Sequence, residues 1–409
     1  MRRARDRKYD TIFVGAGIIC VLEAVYQSLC GKSVLVIDRE PDMGGAWRSL
    51  EIFGLHDVEN AIHYFLPDPH AFDFMRNVLT LEVVPSPRKY RVFRLPLAGH
   101  GRLPYDHPVS RFIGKLSEAP SGGMLDWLGS ACGALKHVLA EKREPSRYVS
   151  GGAPEIVRKV KQILLASEVD VEYSTTIDRI HVDPATETVE VGAGARAFRS
   201  RSIFFSHGSR ITNLSGPAGP ISVEEKVLRR PAVHVLIRDV TAPVMYECIF
   251  TADPLIRYAH DVTRFARESA ELAGRRKLLV LALHQDVTES ESVYPAILEK
   301  LKQVRMVGCD AVMENHNWWV AYLPPLEDSD LDRLKAALGS QVEFFKTDEN
   351  GAQVDYLKTE NFSRGIGNHA RKWATRISPP GTASGPARVP GPEPIKSPEA
   401  DTTARTRSQ

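Results

Sequence analysis

The chain has 409 residues, a mass of 45.4 kDa, and 53 Lys and Arg against 51 Asp and Glu, for a formal net charge of +2. That balance excludes a global attraction to nucleic acid or an anionic membrane, and the length exceeds what one simple core holds, so two domains are expected. The composition, 43% hydrophobic and 25% charged, is that of a globular protein, with no apolar run of roughly 18 uncharged residues to predict a membrane-spanning helix.

The opening MRRARDRK is basic without an apolar stretch, which predicts a solvated tail, not a secretory signal, and is too short to argue for nucleic acid. YDTIFV at 9–14 reads as a buried strand. Apolar residues at helical spacing follow at Ile18, Leu22, Val25, Tyr26 and Leu29, with Gly31 as the helix stop. SVLVI at 33–37 is a continuous apolar run of the kind a parallel sheet requires. Strand, helix and strand form a right-handed βαβ unit.

Residues 86–145 are rich in Pro, Arg and aromatics and turn helical around 124–142, an excursion from the first domain. A Gly-Gly turn at 151–152 opens an amphipathic helix. Period-two alternation then predicts three or four short strands, with a hairpin turn at Asp183–Thr186 and a buried strand at 202–208. From 230 to 350 come the strands AVHVLIRDV, KLLVLALHQDV and NWWVAYL, and helical windows at 289–304 and 328–339. After Trp373 the chain is dominated by Pro, Ser, Gly and Thr, too few apolar groups to offset ordering entropy. The expected organisation is a tail at 1–8, a dinucleotide-binding domain at 9–85 and 146–215, a mixed α+β substrate domain at 86–145 and 216–345, a return segment at 346–373 and a disordered tail at 374–409.

Four features of the first βαβ unit belong together. Gly15 and Gly17 flank Ala16 in a tight turn that lets backbone approach a pyrophosphate. The helix from Ile18 offers its N-terminal amides and positive dipole end. Asp38 closes the second strand where a carboxylate accepts hydrogen bonds from a ribose. Gly44-Gly45 follows six residues later. Cys20 stands where a third glycine is usual; that glycine serves helix–strand approach, so the cysteine costs on the order of 1 kcal/mol of overpacking, the low end of the usual range, which a small helix shift absorbs. Arg39 beside Asp38 raises the question of a 2′-phosphate.

With Gly44-Gly45, the sequence resembles the large flavoprotein superfamily of amine oxidases, protoporphyrinogen oxidases, phytoene desaturases and UDP-galactopyranose mutases. The resemblance implies a Rossmann-type FAD-binding domain interrupted by a mixed α+β substrate domain. It implies FAD held by Gly15, Ala16, Gly17, Ile18, Asp38 and Arg39 and by the loop Gly44, Gly45, Ala46, Trp47 and Arg48. The superfamily often has Arg where this chain has Ala46, with Arg48 two positions on. A second matching block at 148–183 implies that Ile177 contacts adenine through its backbone. The superfamily's closing Gly-Asp block has no match, since 357–373 carries Gly365 and Gly367 instead.

His63-Tyr64-Phe65 resembles the mutase segment in which a histidine and aromatics sit beside the flavin, which makes His63 and Tyr64 the candidate catalytic residues. A histidine titrating near 6.5 can shuttle a proton or tune a flavin. His56 and Glu59 read as solvated loop residues. Trp318 and Trp319 should face opposite sides of one strand. Arg257, His260, Asp261 and Arg264 read as a solvated charged face. Five scattered cysteines without a CxxC pair argue against a zinc or disulfide framework and fit a reduced cytoplasm; no metal is expected. The functional expectation is an FAD-dependent oxidoreductase acting on a C–N or C–C bond of a small molecule. The alternatives are a non-redox flavoenzyme acting on a sugar nucleotide and a flavin-free scaffold.

Overall fold

A computed structural model of the chain describes residues 8–59, 63, 65, 68–85, 89–95, 99–105, 107–117, 132, 147–183, 185–206, 213–222, 228–240, 247–251, 253–272, 274–322, 327–344 and 365–373. Tyr64, the helical window at 124–142 apart from Cys132, and the tail after 373 lie outside them. The strand Lys8–Val14 runs parallel to Val34–Ile37 on one side and to Arg196–Phe205 on the other. Asp170–Glu172 adds to the Val34–Ile37 edge, and Val342–Phe344 pairs parallel with the end of Arg196–Phe205. An antiparallel meander through Arg179–Asp183 and Thr188–Ala193 extends the sheet beyond Arg196–Phe205.

Both faces of the central strands are covered, which is why their sequences are apolar without alternation. Phe13, Val34 and Val36 pack against the helices Ile18–Leu29 and Gly152–Leu165. Ile12, Val14, Leu35 and Ile37 face the meander and the helix Asp328–Leu338, which contributes Leu331, Leu334 and Leu338. The first helix buries Ile18, Val21, Leu22 and Val25, whereas Leu29, read with the same stripe, ends exposed. Gly31 takes φ +83 just past this helix, the left-handed stop expected of it. The hairpin turn is fixed by Asp183, which accepts hydrogen bonds from the Ala185 amide at 3.0 Å and the Thr186 hydroxyl at 2.8 Å.

A second sheet of seven strands among the described residues runs in the order Val312–Tyr322, Leu228–Arg238, Arg276–Leu283, Ile256–Asp261, Glu247–Thr251, Lys89–Leu95, Gly99–Pro104. The excursion expected at 86–145 thus contributes Lys89–Leu95 and Gly99–Pro104 to one layer with strands from 228 onward. One face packs Val233, Val235, Leu279 and Leu281 against the helix Val293–Gln303. The other face packs Leu236, Leu278 and Val280 against Leu55, Val58, Tyr148 and Phe265, at the junction with the dinucleotide-binding unit. The expectation of a substrate domain extending to 345 is corrected here. Residues 328–344 cover and extend the first sheet, because their leucine stripe matches the apolar face left open by Ile12 and Leu35.

The helical segment at 365–373 also packs on the first core through Ile366 and Trp373, the latter edge-on to Phe74 at 5.4 Å. Its Lys372 ammonium donates to Glu23 of the first helix at 2.8 Å, with His369 Nδ1 at 3.5 Å from the same oxygen. No helix among the described residues is long and apolar enough to cross a membrane.

Candidate dinucleotide site and a buried carboxyl beside it

The turn lies at the C-terminal ends of the parallel strands. Its register is pinned by the Gly15 amide donating to the Ile37 carbonyl at 2.8 Å, and by Ser206 donating to the Val14 carbonyl at 2.9 Å. Gly15 takes φ +99, a conformation only glycine adopts cheaply. The Gly44-Gly45 loop closes against this turn: the Gly44 amide donates to the Ala16 carbonyl at 2.9 Å, and a Cβ on Gly45 would sit 3.2 Å from the Gly17 Cα. Asp38 Oδ2 accepts from the Ala16 amide at 2.5 Å and Oδ1 from the Glu40 amide at 2.8 Å. Two amides therefore hold this half-buried carboxylate at the glycine turn, with lone pairs left to accept further donors.

Gly17 tests whether a dinucleotide fits. Its φ of −65 is open to any residue, and a Cβ built on it meets nothing within 4 Å. The protein's own packing does not require glycine there, yet a side chain would fill the space over the helix N-terminus. The first turn of the helix carries no acidic residue. Open space, outward amides and a nearby acid fit a pyrophosphate and a ribose.

Cys20, in place of the third glycine, is buried in the core between helix and sheet. Burial, and then the charges of Asp38 and Glu23, push its thiol well above the usual range, so it acts as a small apolar residue there. Ala46 is exposed. Arg39 is also exposed, its side chain 74% accessible and 3.6 Å from Glu40. Arg48 is ion-paired with Glu40. Ile177 lies in the connection between Asp170–Glu172 and Arg179–Asp183, part-buried against the meander side of the core. Thr175, two residues before it, donates its amide to the Asp38 carbonyl at 2.9 Å, which brings this connection alongside the acid.

Trp47, on the single turn Gly45–Trp47, is buried, with its ring 4.1 Å from the His63 ring and 5.8 Å from Phe65. His63 Nδ1 lies 4.0 Å from Glu59 Oε2. Glu59, read from sequence as a solvated loop residue, is only 1% exposed. Its Oε1 accepts a 2.6 Å hydrogen bond from the Tyr148 hydroxyl and another from the Ala153 amide in the first turn of the helix Gly152–Leu165. Oε2 is buried without a hydrogen-bond partner among the described residues. Burial pushes the carboxyl up to about 8, against the opposing pull of Tyr148, Ala153 and Arg264, so at neutral pH Glu59 holds its proton.

The Glu59 carbonyl lies 3.3 Å from His234 Nε2, and Trp319 Nε1 donates to His234 Nδ1 at 3.2 Å. Since the indole can only donate, Nδ1 accepts and the His234 proton sits on Nε2. Burial pushes His234 down to about 4, which keeps the ring neutral. Trp319 thus faces the dinucleotide-binding unit while Trp318 packs toward the helix Val293–Gln303, the opposite placement expected of neighbours on a strand.

His56 remains half-exposed and pairs with Glu268 at 2.6 Å. The expected charged face at 257–264 is corrected. His260 and Asp261 are buried on opposite sides of their strand, Arg257 lies over Tyr258, and Arg264 lies over Phe265 and Tyr148. Period-two geometry splits the cluster because the segment Ile256–Asp261 is a central strand. No local pattern marks Glu59; its burial follows from packing against Gly152, where, at φ +72, a Cβ would collide with Glu59 Oε1.

Residues 14–78 match a family model described as an NAD(P)-binding Rossmann-like domain. Among curated proteins none matches this sequence. Among solved structures, putrescine oxidase with bound putrescine is similar, with a TM-score of 0.57 and 14% identity over 91% of this chain and 99% of that one. An oxidoreductase from Methanosarcina mazei has a TM-score of 0.55 and 16% identity over 89% and 99%. A Rab GDI from Plasmodium falciparum has a TM-score of 0.51 and 12% identity over 90% and 98%. The glycine turn, its parallel sheet and the second sheet docked beside it give this chain a Rossmann-like dinucleotide-binding domain within the fold shared by putrescine oxidase and the other structures named.

Proposed function

We propose that the protein is an FAD-dependent oxidoreductase that oxidises a C–N or C–C bond of a small molecule. The observation that carries this reading is the closure of the Gly44-Gly45 loop on the Gly15–Gly17 turn, with Asp38 held at the same point and open space above Gly17. Amides at Gly17 and Ile18 would hold the pyrophosphate over a turn shaped by Gly15 and Ala16, Asp38 a ribose, and the segment around Ile177 the adenine. Gly44, Gly45, Ala46 and Trp47 would line the loop that follows, with Arg39 and Arg48 near Glu40 at its edge. Bound flavin supplies the hydride acceptor for such an oxidation.

The chain's own groups supply position and protons. Trp47, itself packed on Phe65, covers the His63 ring. Glu59, protonated at its buried carboxyl, stands 4.0 Å from the His63 ring and can restore a proton that His63 gives up. His234, neutral and doubly hydrogen-bonded, fixes the Glu59 backbone without competing for that proton.

The test is the absorption spectrum of the purified protein before and after incubation with FAD. An oxidised-flavin spectrum, bleached by a substrate amine without added reductant, supports the proposal. A colourless protein that takes up no FAD overturns it. Turnover of a UDP-sugar only after dithionite would move the chemistry to the mutase class.

A further inference from the structure

The face of the second sheet turned toward the dinucleotide-binding unit carries an unbalanced charge. Strand pairing places Arg91, Ile249, Tyr258, Ala282, Ala232 and Trp319 in one row across that face. The adjoining row holds Lys89, Glu247, His260, Val280 and His234. His234 reaches Glu59 at the domain junction, so both rows face the dinucleotide-binding side. Tyr90 and Val92, alternating with Arg91, pack into the opposite, helix-covered core.

Glu247 lies between two basic side chains, 3.6 Å from Lys89 and 3.9 Å from His260. Arg91 has no carboxylate partner among the described residues. It is 8% exposed, its Nη1 donates to the Thr251 hydroxyl at 3.2 Å, and its guanidinium lies 5.1 Å from the centre of the Tyr105 ring. Its Nε is buried with no hydrogen-bond partner among the described residues. A guanidinium removed from water is kept where an anion or a full set of acceptors compensates it, and neither a hydroxyl nor a ring face does so. Thr251 occupies Nη1, which leaves the Nε edge, the side on which arginine grips an oxyanion with parallel bonds.

We propose that Arg91 binds an oxyanion group of the substrate, carboxylate or phosphate, at its Nε edge on the inner face of the second sheet. The word substrate rests on the oxidoreductase reading; the anion site itself does not. It narrows the substrate class to small molecules carrying an acidic group.

The test is thermal unfolding of the full chain titrated with succinate or with inorganic phosphate, each against sodium chloride at matched ionic strength. Wild type should show a saturable rise in Tm with one of the two, which also identifies the anion, and Arg91→Met should abolish it. Phosphate bound at the cofactor turn would respond equally in both proteins, so the wild-type shift in excess of that of Arg91→Met is the readout; no excess with either anion overturns the proposal. If Arg91→Met does not fold, Arg91→Lys keeps the charge without the fork and should raise the half-saturating concentration about tenfold; an unchanged value overturns the proposal. Flavin absorption of the same samples reports the cofactor separately. A colourless protein that still binds succinate through Arg91 would remove the oxidoreductase reading and leave the anion site standing.

Discussion

Glu59 Oε1 lies 2.6 Å from the Tyr148 hydroxyl, so a carboxyl reached from the Gly-Gly loop of the first βαβ unit is clasped by the strand that leads into the second Gly-Gly turn. Ala153 closes the same clasp through its amide. Two stretches separated by some 90 positions in the chain meet at one proton-bearing group.

That group should leave its mark on stability. A carboxyl titrating at about 8 in the folded state against an ordinary 4.5 binds its proton more tightly folded than unfolded. Stability therefore declines as pH rises through this window. Glu59→Gln keeps an acceptor for Tyr148 and Ala153 and should flatten the decline. Glu59→Ala, which strands both donors, should cost about 1–3 kcal/mol at pH 5. Urea unfolding across pH 5–8 checks both variants.

Two glycines should respond in opposite ways to the same substitution. Gly17→Ala meets open space at an ordinary φ and should leave the flavin-free protein as stable or up to about 1 kcal/mol more so. It should weaken FAD binding at least about tenfold, because the methyl occupies the pyrophosphate approach. Gly152→Ala combines φ +72 with a Cβ that collides with Glu59 Oε1 and should destabilise by more than about 2 kcal/mol. Tm values with and without FAD separate the cases.

The docking of 365–373 rests on apolar burial more than on its ion pair. Trp373→Ala removes a buried ring packed edge-on to Phe74 and should cost about 3–5 kcal/mol. Lys372→Met breaks a contact from a half-exposed ammonium and should cost under about 1 kcal/mol. Denaturant midpoints for the two variants test this ordering.

Acid should unfold the protein partly through two buried imidazoles. Burial lowers His234 and His369 to about 4, in His369 against the attraction of Glu23. The unfolded chain binds protons at both sites from pH 6.5 downward while the folded state resists, so stability present above pH 6.5 is lost as pH falls toward 4, by on the order of 3 kcal/mol for each ring. Glu23 sits below its ordinary value because His369, then Lys372, outweigh the effect of its own burial. His369→Met should make the acid limb of a Tm–pH curve shallower.

The glycine turn, the parallel strands around it, the hairpin at Asp183 and the split faces of Trp318 and Trp319 were legible because each depends on neighbours within a few residues. Gly15 at positive φ, the apolar run Val34–Ile37 and the alternation of a strand are local consequences of backbone sterics and burial on both faces. Asp38 belongs with them, since strand length and helix length fix its distance from the turn.

Only the tertiary structure decided the rest. Glu59 and Arg91 look in sequence like ordinary solvated charges; what buries them is contact with Tyr148 and Ala153 in one case and with Thr251 in the other, partners many residues away. The return of 328–344 to the first sheet was decided in the same way, by an apolar face that exists only after the sheet has formed. Sequence by itself determined where the backbone can turn and which residues must be covered. Which distant group covers them, and so which charges lose their water, follows from chain packing, because desolvation is a property of the assembled surroundings and not of any one residue.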